Sequence, residues 1–217
     1  MLSNALAENN LTLPIGAITQ LERYLDCLSR WNRVFNLTAI AGRRERVYLH
    51  LIDSLLVIPY LQGERMLDVG SGAGLPGIPL AIALPNTQWT LLDKTLKKTT
   101  FLNQVVSECD LKNVKIIHSR CEDFQPEGKF DTVISRAVGS VKQLIIMSRH
   151  LIAEQGRIIA MKGRDVEAEL HGLPPGFTVT VTPLKIQGIE RERQVVICQS
   201  IPVANENANF RLPSSRG

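Results

Sequence analysis

The stretch Asp68-Val69-Gly70-Ser71-Gly72-Ala73-Gly74 carries the clearest chemistry in this chain. Glycines at 70, 72, 74 and 77 let the backbone adopt angles that a Cβ forbids, and let a ligand lie against bare main chain. Met66 to Val69 read as a short buried strand, and Ile78 to Leu84 as a helix. Strand, glycine turn, helix is the opening of a nucleotide-binding α/β unit. Pro76 and Pro79 fall in the first helical turn, where a missing N–H costs little. The helix N-terminus is expected to face the ligand with free N–H groups.

Three cofactors compete for such a loop. Residues 72 to 77 match G-x-G-x-x-G, the dinucleotide pattern, but in that fingerprint the first glycine follows the strand directly, and here that glycine is Gly70. Asp68 sits at the strand's end, where its carboxylate would repel a pyrophosphate and suit the cationic amino-acid end of S-adenosylmethionine. No Gly-Lys-Ser/Thr follows, which excludes a P-loop. The pattern favours S-adenosylmethionine as cofactor, with Asp68, Gly70, Gly72 and Gly74 as its loop contacts.

Ligands of open α/β sheets bind beyond the carboxyl ends of the strands, so the last residue of each strand is informative. The second strand, Gln88 to Asp93, ends in a carboxylate that can accept both ribose hydroxyls of an adenosine, or cap the next helix, or both. Val114 to His118 is followed by Arg120, Cys121, Glu122 and Asp123, which can frame an adenine through backbone N–H and a carboxylate. Phe130 to Ser135 leads into Arg136, and Gly156 to Met161 into Lys162 and Gly163. Two basic residues at adjacent strand ends beside the cofactor point to a functional pair, Arg136 and Lys162.

The elements that must hold these residues alternate. Leu96 to Cys109 and Val141 to Leu151 read as helices between strands, and Phe177 to Val181 with Gln194 to Cys198 as a closing antiparallel hairpin. The expected fold class is α/β: a mostly parallel seven-stranded sheet with helices on both faces. Ahead of it, Ala17 to Phe35 shows apolar residues at helical spacing (Ile18, Leu21, Leu25, Leu28, Trp31). Gly42 to Arg46 is a basic turn or helix start, and Val47 to Tyr60 a second helix ending near Pro59. His50 and Asp53 share a face of it, and a local hydrogen bond or cap is the simplest role for them. The domain organisation expected is a helical extension over 1–62, a core over 63–204, and a polar, mobile tail over 205–217.

The chain has 217 residues, 44% of them hydrophobic, which suits one substantial domain with an extension. No apolar run reaches membrane-span length and no basic leader precedes Glu8, so no membrane segment or signal peptide is expected. Cys27, Cys109, Cys121 and Cys198 are scattered and read as reduced thiols of a cytoplasmic protein, with no metal site among them. The net charge of +4 permits a nucleic-acid partner. Arg43, Arg44, Lys162, Arg164, Arg191 and Arg193 favour a polyanion.

A longer set of motifs carries a family resemblance. Trp31-Asn32 with Asn36-Leu37-Thr38, His50-x-x-Asp53-Ser54, the run from Asp68 to Ala81, Leu91-Leu92-Asp93, Ser119 to Phe124, Ile134 to Ala137, Met161-Lys162-Gly163 and Glu192-Arg193-x-x-Val196 resemble the bacterial small-subunit ribosomal RNA guanosine-N7 methyltransferases, the glucose-inhibited division protein B family. The likeness runs from about Trp31 to Val196. It implies a class I Rossmann-like methyltransferase fold with an N-terminal helical extension, S-adenosyl-L-methionine as donor, and a guanosine in the 530-loop region of 16S ribosomal RNA as acceptor. The RNA is presented free or in the small-subunit particle, and the enzyme is expected to act as a monomer. By the same resemblance, Gly70 and Leu75 match cofactor contacts of the glycine loop, Cys121 and Glu122 an adenine-side pair, and Arg136 a binding arginine. Cys121 stands where the family commonly has alanine or valine, which suits a backbone contact. Phe35 replaces a frequent tyrosine, and Lys94 a common serine.

Guanine N7 has an in-plane lone pair and no proton to lose, so it can attack a sulfonium methyl without a general base. The protein's part is alignment and exclusion of water. No Asn/Asp-Pro-Pro-aromatic run, the pattern of exocyclic-amine methyltransferases, follows the fourth strand; the sequence there is Ser135-Arg136-Ala137-Val138. Two other classes remain open: a Rossmann oxidoreductase using NAD, and a non-catalytic RNA-binding protein on a vestigial cofactor fold. A small-molecule methyltransferase is a third.

Overall fold

The computed structural model describes residues 1–136, 138–163 and 166–201. Arg164 and the polar tail over 205–217 lie outside the described residues. The chain opens with a seven-residue helix, α1 (Leu2–Glu8), which the apolar spacing does not announce. Its buried residues, Leu2, Ala5 and Leu6, are too few to make a visible periodicity. Next comes α2 (Ala17–Phe35), with Leu21, Tyr24, Leu25, Cys27 and Leu28 buried. Ile18, expected inside, is 40% exposed at the rim of that face.

The single helix expected over 47–60 is three pieces. A short α3 (Arg43–Arg46) runs into a π-helix (Val47–Ile52), then α4 (Asp53–Leu55), and a 3-10 turn (Ile58–Tyr60) follows around Pro59. A π-turn widens the helix and re-aims its carbonyls, a form found often at functional sites. The Leu49 carbonyl within it accepts from Arg136 Nη1 at 3.0 Å.

The remaining elements alternate as expected. They are β1 (Arg65–Val69), α5 (Gly77–Ala83), β2 (Gln88–Asp93), α6 (Leu96–Glu108), β3 (Val114–His118), β4 (Phe130–Ser135), α7 (Val141–Ser148), β5 (Ile152–Lys162), β6 (Phe177–Lys185) and β7 (Glu192–Ser200). A 3-10 turn, Glu167–Leu170, follows β5. Strand β5 begins four residues before the expected Gly156, because the register against β4 shifts between Phe130 and Thr132. The polar run Glu154-Gln155-Gly156 at that irregularity hides the start of the strand.

The seven strands lie in the order β3-β2-β1-β4-β5-β7-β6. β1 to β5 pair in parallel, and β7 joins β5 and β6 antiparallel. The order reverses between β1 and β4, the switch point at which open α/β sheets bind ligands. One apolar cluster joins α1, α2 and the π segment to α5, α6 and one sheet face, from Leu2 and Leu25 through Ile52 to Ile78, Phe101 and Val195. A second packs α7 on the other face through Val141, Leu144, Ile145 and Val133. The N-terminal helices therefore share the main core, and their side chains are fixed relative to the strand ends.

Candidate active site

Beyond the carboxyl ends of β1, β2, β3 and β4 lies a cavity of about 460 Å³. Its floor is the glycine loop, with Val69, Gly70, Ser71, Gly72, Ala73 and Leu75 all lining it. Gly70 (φ 70°) and Gly72 (φ 58°) both adopt left-handed angles, which strain any L side chain. At Gly70 a Cβ would also stand 2.8 Å from Val138 Cγ2. Asp93, Cys121, Glu122 and Arg136 line the walls. So the structure brings together seven of the nine residues expected at the cofactor.

Asp68 and Gly74 lie behind the wall. The Asp68 side chain is fully buried, and its Oδ2 accepts from the Gly77 N–H at 3.0 Å. Burial pushes its carboxyl up to about 7, although the Gly77 N–H pulls the other way. Asp68 pins the start of α5 to the end of β1 instead of touching the cavity. Gly74 is required by packing, since a Cβ there would stand 2.6 Å from Ile78 Cγ1 and 3.0 Å from Leu102 Cδ2.

The helix N-terminus also differs from expectation. Gly77 N–H serves Asp68, and Ile78 N–H serves the Gly74 carbonyl. In the loop, Gly70 and Ser71 both donate to Leu92 O, and Gly72 to Asp93 Oδ2 at 2.9 Å. The donors that a pyrophosphate needs at such a terminus are spent within the protein. A dinucleotide is disfavoured on that ground, as the position of Asp68 suggested.

Asp93 is 4% exposed and works on both sides of its own strand end. Oδ2 accepts from Gly72 N–H, Oδ1 from Thr95 N–H at 2.9 Å, and Lys98 Nζ lies 3.6 Å from Oδ2. Thr95 is the N-cap of α6, so Asp93 fixes the cap residue without being it. A carboxylate has about four acceptor positions, so ribose hydroxyls can still be taken. The Cys121 thiol turns away to the Met147 carbonyl at 3.3 Å, and burial raises its pKa to about 12.

Three parts of the site were not read from the sequence. Tyr24, on the apolar stripe of α2, donates its hydroxyl to Ala73 O at 2.7 Å. Burial holds its phenol well above the ordinary value, so it remains a donor. Leu37 and Thr38 form a cavity wall. That wall is tied down by Asn32 Oδ1, which accepts from Thr38 N–H at 2.8 Å, and by His50 Nε2, 3.0 Å from Thr38 Oγ1. Arg46 clamps the same segment, donating to Ile40 O at 2.7 Å and Ser29 Oγ at 2.6 Å. A polar residue on an otherwise apolar helix stripe was the available signal for Tyr24.

His50 and Asp53 do not bond to each other. His50 Nδ1 lies 3.1 Å from Leu49 O, so its proton sits there and Nε2 accepts the Thr38 hydroxyl. Desolvation, then the nearby Arg136 charge, lowers its pKa to about 4. Asp53 instead bridges two arginines of the sheet: Arg193 Nε donates to Oδ1 at 3.1 Å, and Arg136 Nη1 lies 3.6 Å from Oδ2.

The basic residues separate into groups. Arg43 pairs with Glu22 and, at 2.9 Å, with Asp26 on α2. Lys162 pairs with Glu169 at 2.7 Å and donates to Gly139 O at 2.6 Å. Both were expected to be available to substrate, and both already have protein partners. Arg44 lies over the Tyr48 ring, 5.0 Å from its centroid, and donates to Gly188 O at 2.9 Å beside the exposed Arg191. Arg193 and Lys162 line a second, smaller cavity together with Arg136.

Residues 17–196 match the family model described as rRNA small subunit methyltransferase G. The chain belongs to that family. A relative named ribosomal RNA small subunit methyltransferase G from Chromobacterium violaceum is 46% identical over 197 residues, 90% of this chain and 94% of its own. One of the same name from Salmonella agona is 43% identical over 200 residues, 92% and 97% respectively. Among solved structures, a methyltransferase from Pyrococcus furiosus matches with a TM-score of 0.57 at 14% identity, covering 85% of this chain and 99% of that one. A glycopeptide N-methyltransferase, MtfA, complexed with S-adenosyl-L-homocysteine, gives 0.57 at 14%, covering 70% and 87%. At those identities the structures speak for the fold, a class I methyltransferase. The protein is an S-adenosylmethionine-dependent methyltransferase of ribosomal RNA, not an oxidoreductase or a vestigial binding module. Among the described residues, no helix is long and apolar enough to cross a membrane.

Proposed function

We propose that the acceptor is N7 of a guanosine in the 530-loop region of 16S ribosomal RNA, and that the enzyme works as a cytoplasmic monomer. Residues 1–62 then serve as an extension that walls the site built by residues 63–204. The observation that carries this reading is the position of Arg136: it directly follows β4, lines the cofactor cavity, and also lines the smaller cavity beyond. One cation thus borders both the donor's place and the place next to it.

The residues present fit the cofactor. The acidic Asp93 suits ribose hydroxyls, the bare backbone of Gly70 to Gly72 allows close approach, and Leu37, Val69, Leu92 and Met147 give an apolar surface for a purine. Leu75, Cys121 and Glu122 complete the walls. S-adenosylmethionine supplies an electrophilic methyl group when bound. The chain's own work is to hold the acceptor in line and keep water out. Guanine N7 brings its own lone pair, so no side chain must remove a proton. That matches a site beside which His50 is buried and faces Thr38, while His118 Nε2 lies 3.0 Å from the Lys94 carbonyl.

Arg136 is placed to touch cofactor and base, and Lys162 to position the base or its phosphate while remaining paired with Glu169. Arg44 and Arg191, near the β6–β7 turn, are the stronger candidates for RNA phosphates than Arg43. Mass mapping of methylated ribosomal RNA from cells with and without this protein tests the reading. Loss of one N7-methylguanosine in the 530-loop region is the expected result; loss of a methyl group elsewhere overturns it.

A further inference from the structure

Asp53 is the group that the activity above leaves without a task. Its side chain is 1% exposed, and Oδ1 accepts from Arg193 Nε. Oδ2 accepts no hydrogen bond, although Arg136 Nη1 lies 3.6 Å away. A buried carboxylate oxygen without a donor is costly unless a ligand supplies one. Asp53 borders a cavity of about 210 Å³ with Arg136, Met161, Lys162, Gly163 and Arg193. Through Arg136 this cavity adjoins the one that fits the cofactor.

We propose that this smaller cavity receives the target base and that Asp53 selects guanine, its Oδ2 accepting from the N1–H and the exocyclic N2 amine. The inference rests on the guanosine reading and adds to it the residue that reads the base. Enzymes that act on a nucleobase commonly take it out of the stack and read its Watson–Crick edge. On that edge guanine presents two adjacent donors and one acceptor, O6. A carboxylate answers the donors, and the cations Arg193 and Lys162 answer the acceptor. Adenine offers an acceptor at N1 where guanine has a donor, so it would set a lone pair against Oδ2. Cytosine and uracil have no N7. Buried Met161 gives an apolar surface on the same cavity. The donors lie on the six-membered ring, away from N7, so gripping them leaves N7 free to face the cofactor side.

A site built to hydrogen-bond a group rejects the analogue that lacks it far more strongly than it rejects a change of size. Inosine keeps N7, O6 and N1–H and lacks only the N2 amine. The test uses small-subunit RNA carrying guanosine or inosine at the target position, free and in particles, with kcat/KM for methyl transfer measured by the native enzyme and by Asp53→Asn. The native enzyme should prefer guanosine by about tenfold or more, the worth of one hydrogen bond to a charged group. Asp53→Asn should lose activity on guanosine and bring the guanosine-to-inosine ratio toward one. A merely structural Asp53 would lower both substrates alike and keep the ratio. Equal activity of the native enzyme on the two RNAs overturns the proposal even if the variant does not fold. Failure of the native enzyme to methylate N7 of the guanosine RNA at all is a separate outcome, and overturns the guanosine reading itself.

Discussion

The hydroxyl of Tyr24 on α2 donates to the carbonyl of Ala73 in the glycine loop at 2.7 Å, with the Tyr24 side chain fully buried. A helix outside the sheet thus holds the loop on which the cofactor lies. Tyr24→Phe keeps the ring and strands a buried carbonyl, which costs about 1–3 kcal/mol. Denaturant unfolding should show that loss, with a weaker cofactor affinity by calorimetry. A variant as stable as the parent would mean the loop holds itself.

Asp93 joins the loop to α6 through Gly72 and Thr95. Asp93→Ala should weaken S-adenosylmethionine binding by about 1.5–3 kcal/mol for each charge-assisted bond removed. Lys98→Ala is the contrast: its side chain is 36% exposed and stands 3.6 Å from Asp93. A long contact from a solvent-screened ammonium of that kind contributes at most about 1 kcal/mol, although Asp93 itself is buried. Calorimetry on both folded variants checks the order, and equal effects would remove Asp93 from the ribose.

His50 gives a prediction for stability. Its folded pKa, about 4, lies below the ordinary 6.5. The folded state therefore binds fewer protons than the unfolded one. The contribution is fully present above about 6.5 and is lost as pH falls toward 4. Asp68, raised to about 7, acts in the opposite direction over an overlapping range. The native curve alone hides both, and the difference between native protein and His50→Gln isolates the histidine. That difference should shrink by about 2 kcal/mol between pH 7 and pH 5. A difference independent of pH would show that His50 titrates in the fold as it does in the unfolded chain.

The pairings of the arginines divide their expected effects on RNA binding. Removing one cation that holds a phosphate should flatten the log–log salt dependence by about 0.7–0.9. Arg44→Ala and Arg191→Ala should do so. Arg43→Ala should change the slope little, because Glu22 and Asp26 already neutralise that guanidinium. A drop in slope at Arg43 as large as at Arg44 would show that RNA displaces those carboxylates.

The sheet was legible because each strand is a short apolar run bounded by turn residues, and β2, β3 and β4 fall on the residues expected. The cavity's strand-end residues, Asp93 and Arg136, followed from the rule that ligands sit beyond carboxyl ends. What could not be read is long-range pairing. Arg43 and Lys162 look free in sequence, and their partners lie on α2 and after β5. Asp53 looked like a local cap to His50, but its partners are Arg136 and Arg193, on or beside distant strands of the sheet. The π-turn at 47–52 has the same apolar texture as an α-helix, so periodicity alone does not reveal it.

Asp68 gives the last prediction, which separates cofactor binding from chemistry. Its carboxyl titrates near 7, because burial raises it more than the Gly77 N–H and nearby Arg136 lower it. It lies under the glycine loop, and a cationic ligand above that loop favours the ionised form. Binding should then lower the Asp68 pKa, so S-adenosylmethionine affinity should rise as pH passes upward through 7, with proton release below it. Calorimetry in buffers of different ionisation enthalpy measures that proton, and Asp68→Asn should abolish it. The methyl-transfer step at saturating cofactor should behave differently. N7 has no proton to surrender, so single-turnover rates should be nearly flat from about pH 6.5 to 8.5. A rate rising tenfold per pH unit would reveal an essential base and end the alignment-only mechanism. An affinity indifferent to pH would show instead that Asp68 serves α5 alone.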